Sequence, residues 1–83
     1  MNIQDIADFL DLVKNPVKYE ERQSNGLTWS LYKASSDGLP VYIAFARFGK
    51  DTLMVVMICY PDEQDALYKS IFLPILDSTK PSS

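Results

Sequence analysis

PVYIAFARFGKDTLMVVMICY, residues 40–60, is the stretch whose reading decides the fold. Two apolar runs flank Phe48-Gly49-Lys50-Asp51, which has the composition of a tight turn. In the first run Val41, Ile43 and Phe45 alternate with Tyr42, Ala44, Ala46 and Phe48, and no charge appears before Arg47. In the second, Leu53, Val55, Met57 and Cys59 alternate with Met54, Val56, Ile58 and Tyr60. Strands that are apolar on both faces must be covered on both faces. The remainder of the chain is therefore expected to wrap this hairpin.

Immediately upstream, Leu27, Trp29 and Leu31 alternate with Thr28, Ser30 and Tyr32, the pattern of a half-buried strand. Asn25-Gly26 precedes it and is the strongest hairpin signal in the chain, because both residues tolerate positive φ. Residues 17–24, with Val17, Tyr19 and the polar run Glu20-Glu21-Arg22, suit a solvated edge strand. Ser35-Ser36-Asp37-Gly38 reads as a loop, and Pro40 opens the next strand where proline is tolerated.

Helical periodicity flanks the strands. Ile3, Ile6, Phe9, Leu10 and Val13 define one apolar face, Asn2 is placed to cap it with Asp5 reaching back, and Asp8 and Asp11 lie towards the other side. Asn15-Pro16 stops this segment, so the spacing predicts a helix over residues 3–14. Downstream, Asp62 reads as an N-cap with Asp65 three residues on. Leu67, Tyr68, Ile71, Phe72, Ile75 and Leu76 follow as a broad apolar face. Pro74 removes the amide that would bond back to Ser70, which predicts a kink or a restart. The expected fold is α+β: an antiparallel four-stranded meander flanked by an N-terminal and a C-terminal helix. It is expected to form one domain over residues 1–78, with a frayed polar tail at 79–83.

Composition narrows the function. With 83 residues, 47% hydrophobic and 23% charged, the chain suits one small globular domain. A net charge of -3 disfavours nucleic acid and anionic membrane as partners. The acidic start of the chain is unlike a secretory leader. The longest apolar run, 53–60, is far shorter than the roughly 20 residues a membrane-spanning helix needs. A cytoplasmic location is expected.

Catalytic signals are missing. There is no histidine, the commonest general base near neutral pH, and no serine lies in a nucleophile-elbow glycine pattern. The single cysteine, Cys59, falls in the most apolar strand, where a free thiol behaves as a small hydrophobe. Glu20-Glu21 and Asp62-Glu63-Asp65 lack the spacing of a calcium loop, and helix capping accounts for the latter group. Gly26, Gly38 and Gly49 belong to separate turns and build no phosphate loop. Arg47 and Lys50 beside Phe48 are too few for a basic aromatic platform. No catalytic, metal-binding or cofactor-binding residue is expected, and the reading is of a non-enzyme.

Two candidate surfaces remain. Trp29, Tyr32, Tyr42, Tyr60 and Tyr68 could line a ligand pocket between sheet and helix, although amphipathic core and interface residues are the favoured reading in so small a chain. If the strands pair in sequence order, residues 52–60 form a sheet edge without a charge, and Met54, Val56, Ile58 and Tyr60 would join a homodimer or a protein partner.

The run Asn25-Gly26-Leu27-Thr28-Trp29-Ser30-Leu31-Tyr32 is followed by Gly38-Leu39-Pro40-Val41 and then Asp62-Glu63-Gln64-Asp65-Ala66-Leu67-Tyr68 with Phe72-Leu73-Pro74. Together these resemble a small accessory module, the C-terminal appendage of some bacterial α/β-hydrolase-type serine hydrolases. The strand-strand-helix ending resembles, more loosely, the second half of PsbP-like domains. The shared motifs are a hairpin, a strand start and a helix cap. The resemblance implies a bacterial α+β accessory domain and carries no catalytic residue.

Overall fold

The computed structural model describes residues 11–80. Four strands, β1 (Lys14–Ser24), β2 (Leu27–Ser36), β3 (Leu39–Phe48) and β4 (Asp51–Ile58), form one antiparallel sheet in sequence order. Asn25-Gly26 and Asp37-Gly38 each place both central residues at positive φ, with values of 52° and 80°, then 51° and 80°. This is the mirror-image turn whose twist matches that of paired strands. The expected loop at 35–38 contracts to two residues, because Ser35 and Ser36 extend β2 and pair with Pro40 and Leu39.

The helix expected over residues 3–14 falls mostly outside the described residues. At its near end the boundary moves: residues 11 and 12 are helical, but β1 already begins at Lys14. The last helical residue is Leu12, two short of the expected end, and Asn15 sits at φ 53° immediately before Pro16.

The C-terminal helix has three parts: α1 (Gln64–Leu67), a π-helical turn (Tyr68–Phe72) and α2 (Leu73–Ser78). The Leu73 N–H donates to the Tyr68 carbonyl, five residues back. Widening the helix just before Pro74 accommodates a ring that would otherwise crowd the preceding turn. The expected restart is thus a change of helical pitch, and the helix runs on. The cap differs from expectation. Glu63, not Asp62, occupies the N-cap, without a side-chain bond. Backbone and amide groups close the end instead: Glu63 N–H donates to the Tyr60 carbonyl at 3.0 Å, and Gln64 Nε2 donates to the Pro61 carbonyl at 3.0 Å.

The helix packs on one face of the sheet. Leu27, Trp29, Leu31, Tyr42, Ala44, Ala46 and Cys59 are buried there with Phe72 and Leu76, the small alanines of β3 lying among the large Trp29 and Phe72. On the opposite face Ala34, Val41 and Ile43 form a second buried cluster, with Val13, Tyr32, Phe45 and Met54 packed against it. β3 is therefore buried on both faces, as its uninterrupted apolar sequence demands. Among the described residues, no helix is long and apolar enough to cross a membrane.

Candidate functional site

The five aromatic residues considered as a pocket lining divide into separate environments. Tyr42 and Tyr68 come together between sheet and helix, their ring centroids 4.8 Å apart, and Phe72 stacks on Tyr68 at 5.7 Å. Trp29 lies in the same core, fully buried, with no hydrogen-bond partner for Nε1 among the described residues. Tyr32 is on the other face of the sheet, stacked on Phe45 at 5.3 Å. Tyr60 follows β4 and is 65% exposed. Tyr42, Tyr68 and Phe72 pack ring against ring between sheet and helix.

Tyr19 joins this group although its strand reads as solvated. Its hydroxyl donates to the Tyr68 hydroxyl at 2.8 Å, and burial together with that bond pushes the Tyr19 phenol well above its ordinary range. The sheet register shifts between Lys18 and Glu20. A shift of one residue moves a side chain to the other face of the sheet, so a bulge here turns Tyr19 to the helix. Beside it, Lys14, Asn15, Val17, Tyr19, Lys33, Ala34 and Ser35 line a shallow, mostly apolar groove of about 390 Å³.

Further along β1, polar side chains fasten the end of the helix. Arg22 donates from Nε and Nη2 to the two carboxylate oxygens of Asp77, at 3.0 and 2.7 Å. The guanidinium holds the Asp77 carboxyl below the usual carboxylate range. Asn25 Nδ2 donates to the Asp77 and Thr79 carbonyls at 2.6 and 3.0 Å. The turn residue Asn25 is thus also a cap for a helix end 52 residues away.

The opposite edge has a different character. Cys59 N–H donates to the Pro40 carbonyl at 3.2 Å, which marks Cys59 and Pro40 as a bonded position of the β3–β4 ladder. Bonded and non-bonded pairs alternate in an antiparallel ladder, so Met57 with Tyr42, Val55 with Ala44 and Leu53 with Ala46 are the other bonded pairs. The intervening residues Thr52, Met54, Val56 and Ile58 therefore turn their N–H and C=O groups away from β3, towards the open edge. Among the described residues β4 has a neighbour on one side only. Val56 and Ile58 are 36% and 55% exposed, and residues 52–60 carry no charge.

Helical geometry extends this apolar border. Tyr68 and Asp77 face β1, through Tyr19 and Arg22. Leu67, Ile71 and Ile75, spaced four apart, occupy the other flank of the helix, on the β4 side. Ile71 and Ile75 are both exposed.

Among the described residues no three metal-ligating side chains cluster. Burial pushes the Cys59 thiol up, away from the reactive thiolate. Comparison with known proteins adds no relative: no family model matches the chain, and no curated protein or solved structure does.

Proposed function

We propose that this chain is a non-enzymatic interaction module that recruits an extended strand along β4, in a homodimer or from a protein partner. The observation that carries the reading is the row of outward-turned backbone donors and acceptors on Met54, Val56 and Ile58, set in an uncharged apolar border, with Thr52 buried at its start. Such an edge is a template for strand addition, in which main-chain bonds supply affinity and alternate side chains supply specificity. An accessory role beside a larger partner accords with the module-like sequence pattern.

Val56→Pro and Val56→Lys test this in different ways. Proline removes an outward N–H that makes no bond to β3, while lysine adds a charge to the apolar border. In light scattering over a dilution series, the wild-type chain is expected to be larger than a monomer, or to bind a strand-forming peptide. Both variants are expected to lose that association while keeping the circular dichroism of the parent. Association that persists in both variants would remove β4 from consideration.

A second reading is a small-molecule site, supported by the groove beside Tyr19. Its test is a shift in tyrosine or Trp29 emission across a panel of small carboxylates and aromatic compounds, abolished by Tyr19→Ala. A flat response removes it for the compounds tried.

A further inference from the structure

The two ends of β4 carry opposite charge. At its start lie Arg47 and Lys50 against one carboxylate, Asp51, and beyond its end lie Asp62, Glu63 and Asp65 without a cation until Lys69. All six of the residues bracketing the strand from Arg47 to Asp65 are exposed. A second copy laid parallel along this edge would set basic end on basic end and acidic on acidic. Laid antiparallel, it sets each basic turn against the acidic start of the other copy's helix, at both ends at once. Like charges directly opposed are unfavourable, so the charge pattern selects the antiparallel arrangement.

Backbone geometry then restricts the register. A two-fold axis perpendicular to a continuous sheet keeps corresponding faces together, so paired residues must share a face. With the axis at Val55, Met54 of one copy pairs with Val56 of the other, and Thr52 with Ile58. Met54, Val56 and Ile58 of each copy then find partners within the strand, Ile58 lying opposite Thr52, which is buried in the single chain. Moving the axis by one residue in either direction leaves Thr52 or Ile58 beyond the end of its partner strand. On the helix side the same register sets Val55 against Val55 and Leu53 against Met57, apolar pairs throughout.

We infer that the partner of β4 is a second copy of this chain, paired antiparallel about a two-fold axis at Val55 to give a continuous eight-stranded sheet. This rests on the strand-addition reading above and names its partner. The flanks carrying Ile71 and Ile75 are brought to the border between the two helices, which accounts for two exposed isoleucines on a helix that otherwise packs well.

Cysteine cross-linking on the full chain tests the register, in a Cys59→Ala background. Val55→Cys is expected to form an inter-chain disulfide on mild oxidation, since a non-bonded antiparallel pair brings Cα atoms to about 4.5 Å. Leu53→Cys and Met57→Cys should each fail to cross-link alone and succeed when mixed. Lys50→Glu is expected to weaken the dimer about tenfold, from two exposed charge contacts of roughly 0.5–1 kcal/mol each. Glu63→Lys should act likewise, and an equimolar mixture of the two variants should recover part of the association, because the mixed dimer keeps one unaltered end, the basic turn of one copy against the acidic helix start of the other.

A dimer sensitive to Val56→Pro that cross-links through Met57→Cys alone would overturn the register and leave the edge reading standing. A wild-type chain that stays monomeric at every concentration, yet captures a strand peptide, would overturn the second copy as partner. A dimer untouched by Val56→Pro would overturn both.

Discussion

β1 and β4 are both outer strands of one sheet, each with a single neighbour among the described residues, and they are built on opposite plans. β1 carries Lys14, Lys18, Glu20, Glu21 and Arg22, includes Pro16, and breaks register between Lys14 and Val17 and again between Lys18 and Glu20. Each of these features discourages a further strand from pairing. β4 pairs with β3 in unbroken register and has no charge after Asp51. β1 and the turn after it also hold the helix by polar contacts, through Tyr19, Arg22 and Asn25. The β4 side meets the helix through apolar groups, with Leu53, Val55, Met57 and Leu67 all packed against the core. The lesson is that one edge has been closed by sequence, and the other left able to pair.

The sharpest way to break this contrast is to move one proline by one residue. Val55 is a bonded partner of Ala44, so Val55→Pro deletes a ladder hydrogen bond inside the sheet. It should cost about 3 kcal/mol or more, a large part of the stability of so small a domain. Val56→Pro, facing outward, should leave the monomer folded with much less loss. Thermal unfolding of the two variants side by side decides the matter. Equal damage from both would mean that the alternation derived from the Cys59–Pro40 bond is assigned to the wrong residues.

The reverse experiment opens the closed edge. Replacing Pro16, Lys18 and Glu20 together by valine removes a proline and two charges from β1, and should add concentration-dependent assembly beyond that of the parent. Combined with Val56→Pro, the triple replacement isolates assembly through β1. If the combined variant remains monomeric, the register breaks alone suffice to close β1.

Much of this contrast was legible in residue order. The four strands, the Asn25-Gly26 and Gly49-Lys50 turns, the two-sided burial of β3 and the apolar edge all follow from alternation and turn chemistry, which are local signals. Tyr19 was not legible as a helix contact. Alternation assigns faces by parity, and a bulge reverses parity without leaving a mark in composition. The partners Arg22 with Asp77 and Asn25 with Asp77 and Thr79 lie more than 50 residues apart in sequence, and nothing near either end announces the other. Asn25 illustrates the limit well: the turn accounts fully for an asparagine there, and nothing in the sequence marks its amide as a helix cap. The separation of Tyr32 from Tyr42 and Tyr68 is hidden for a similar reason, because amphipathic rings in a short chain carry no information about which face each takes.

Asn25 offers the next test on the closed edge. Asn25→Gly preserves the positive φ but deletes both amide bonds to the helix end, and should destabilise the chain by about 1–2 kcal/mol. Asn25→Asp keeps the turn preference and sets a carboxylate against two carbonyls, so it should cost more than Asn25→Gly. Urea denaturation gives the order directly. The opposite order would show that the turn, and not the cap, sets the value of Asn25. Neither change should alter association through β4.

The smallest effect expected is also on β1, in the Arg22–Asp77 pair. Asp77 has a folded-state pKa below its ordinary value, chiefly through its hydrogen bonds from Arg22. A carboxyl lowered in the folded state contributes stability that is fully present above its unfolded pKa, about 4, and is lost as pH falls through the folded value. Both side chains are partly open to solvent, so screening reduces the contribution and salt should reduce it further. The stability difference between the wild-type chain and Asp77→Asn should therefore be present near pH 6, shrink towards pH 3, and be smaller throughout in high salt. Asp77→Asn leaves β4 untouched, so the association measured by light scattering should follow the same course in both proteins over this range. A difference that stays constant with pH would mean that the pair holds the helix end by shape and hydrogen bonding alone, and that charge on the closed edge serves only to repel a further strand.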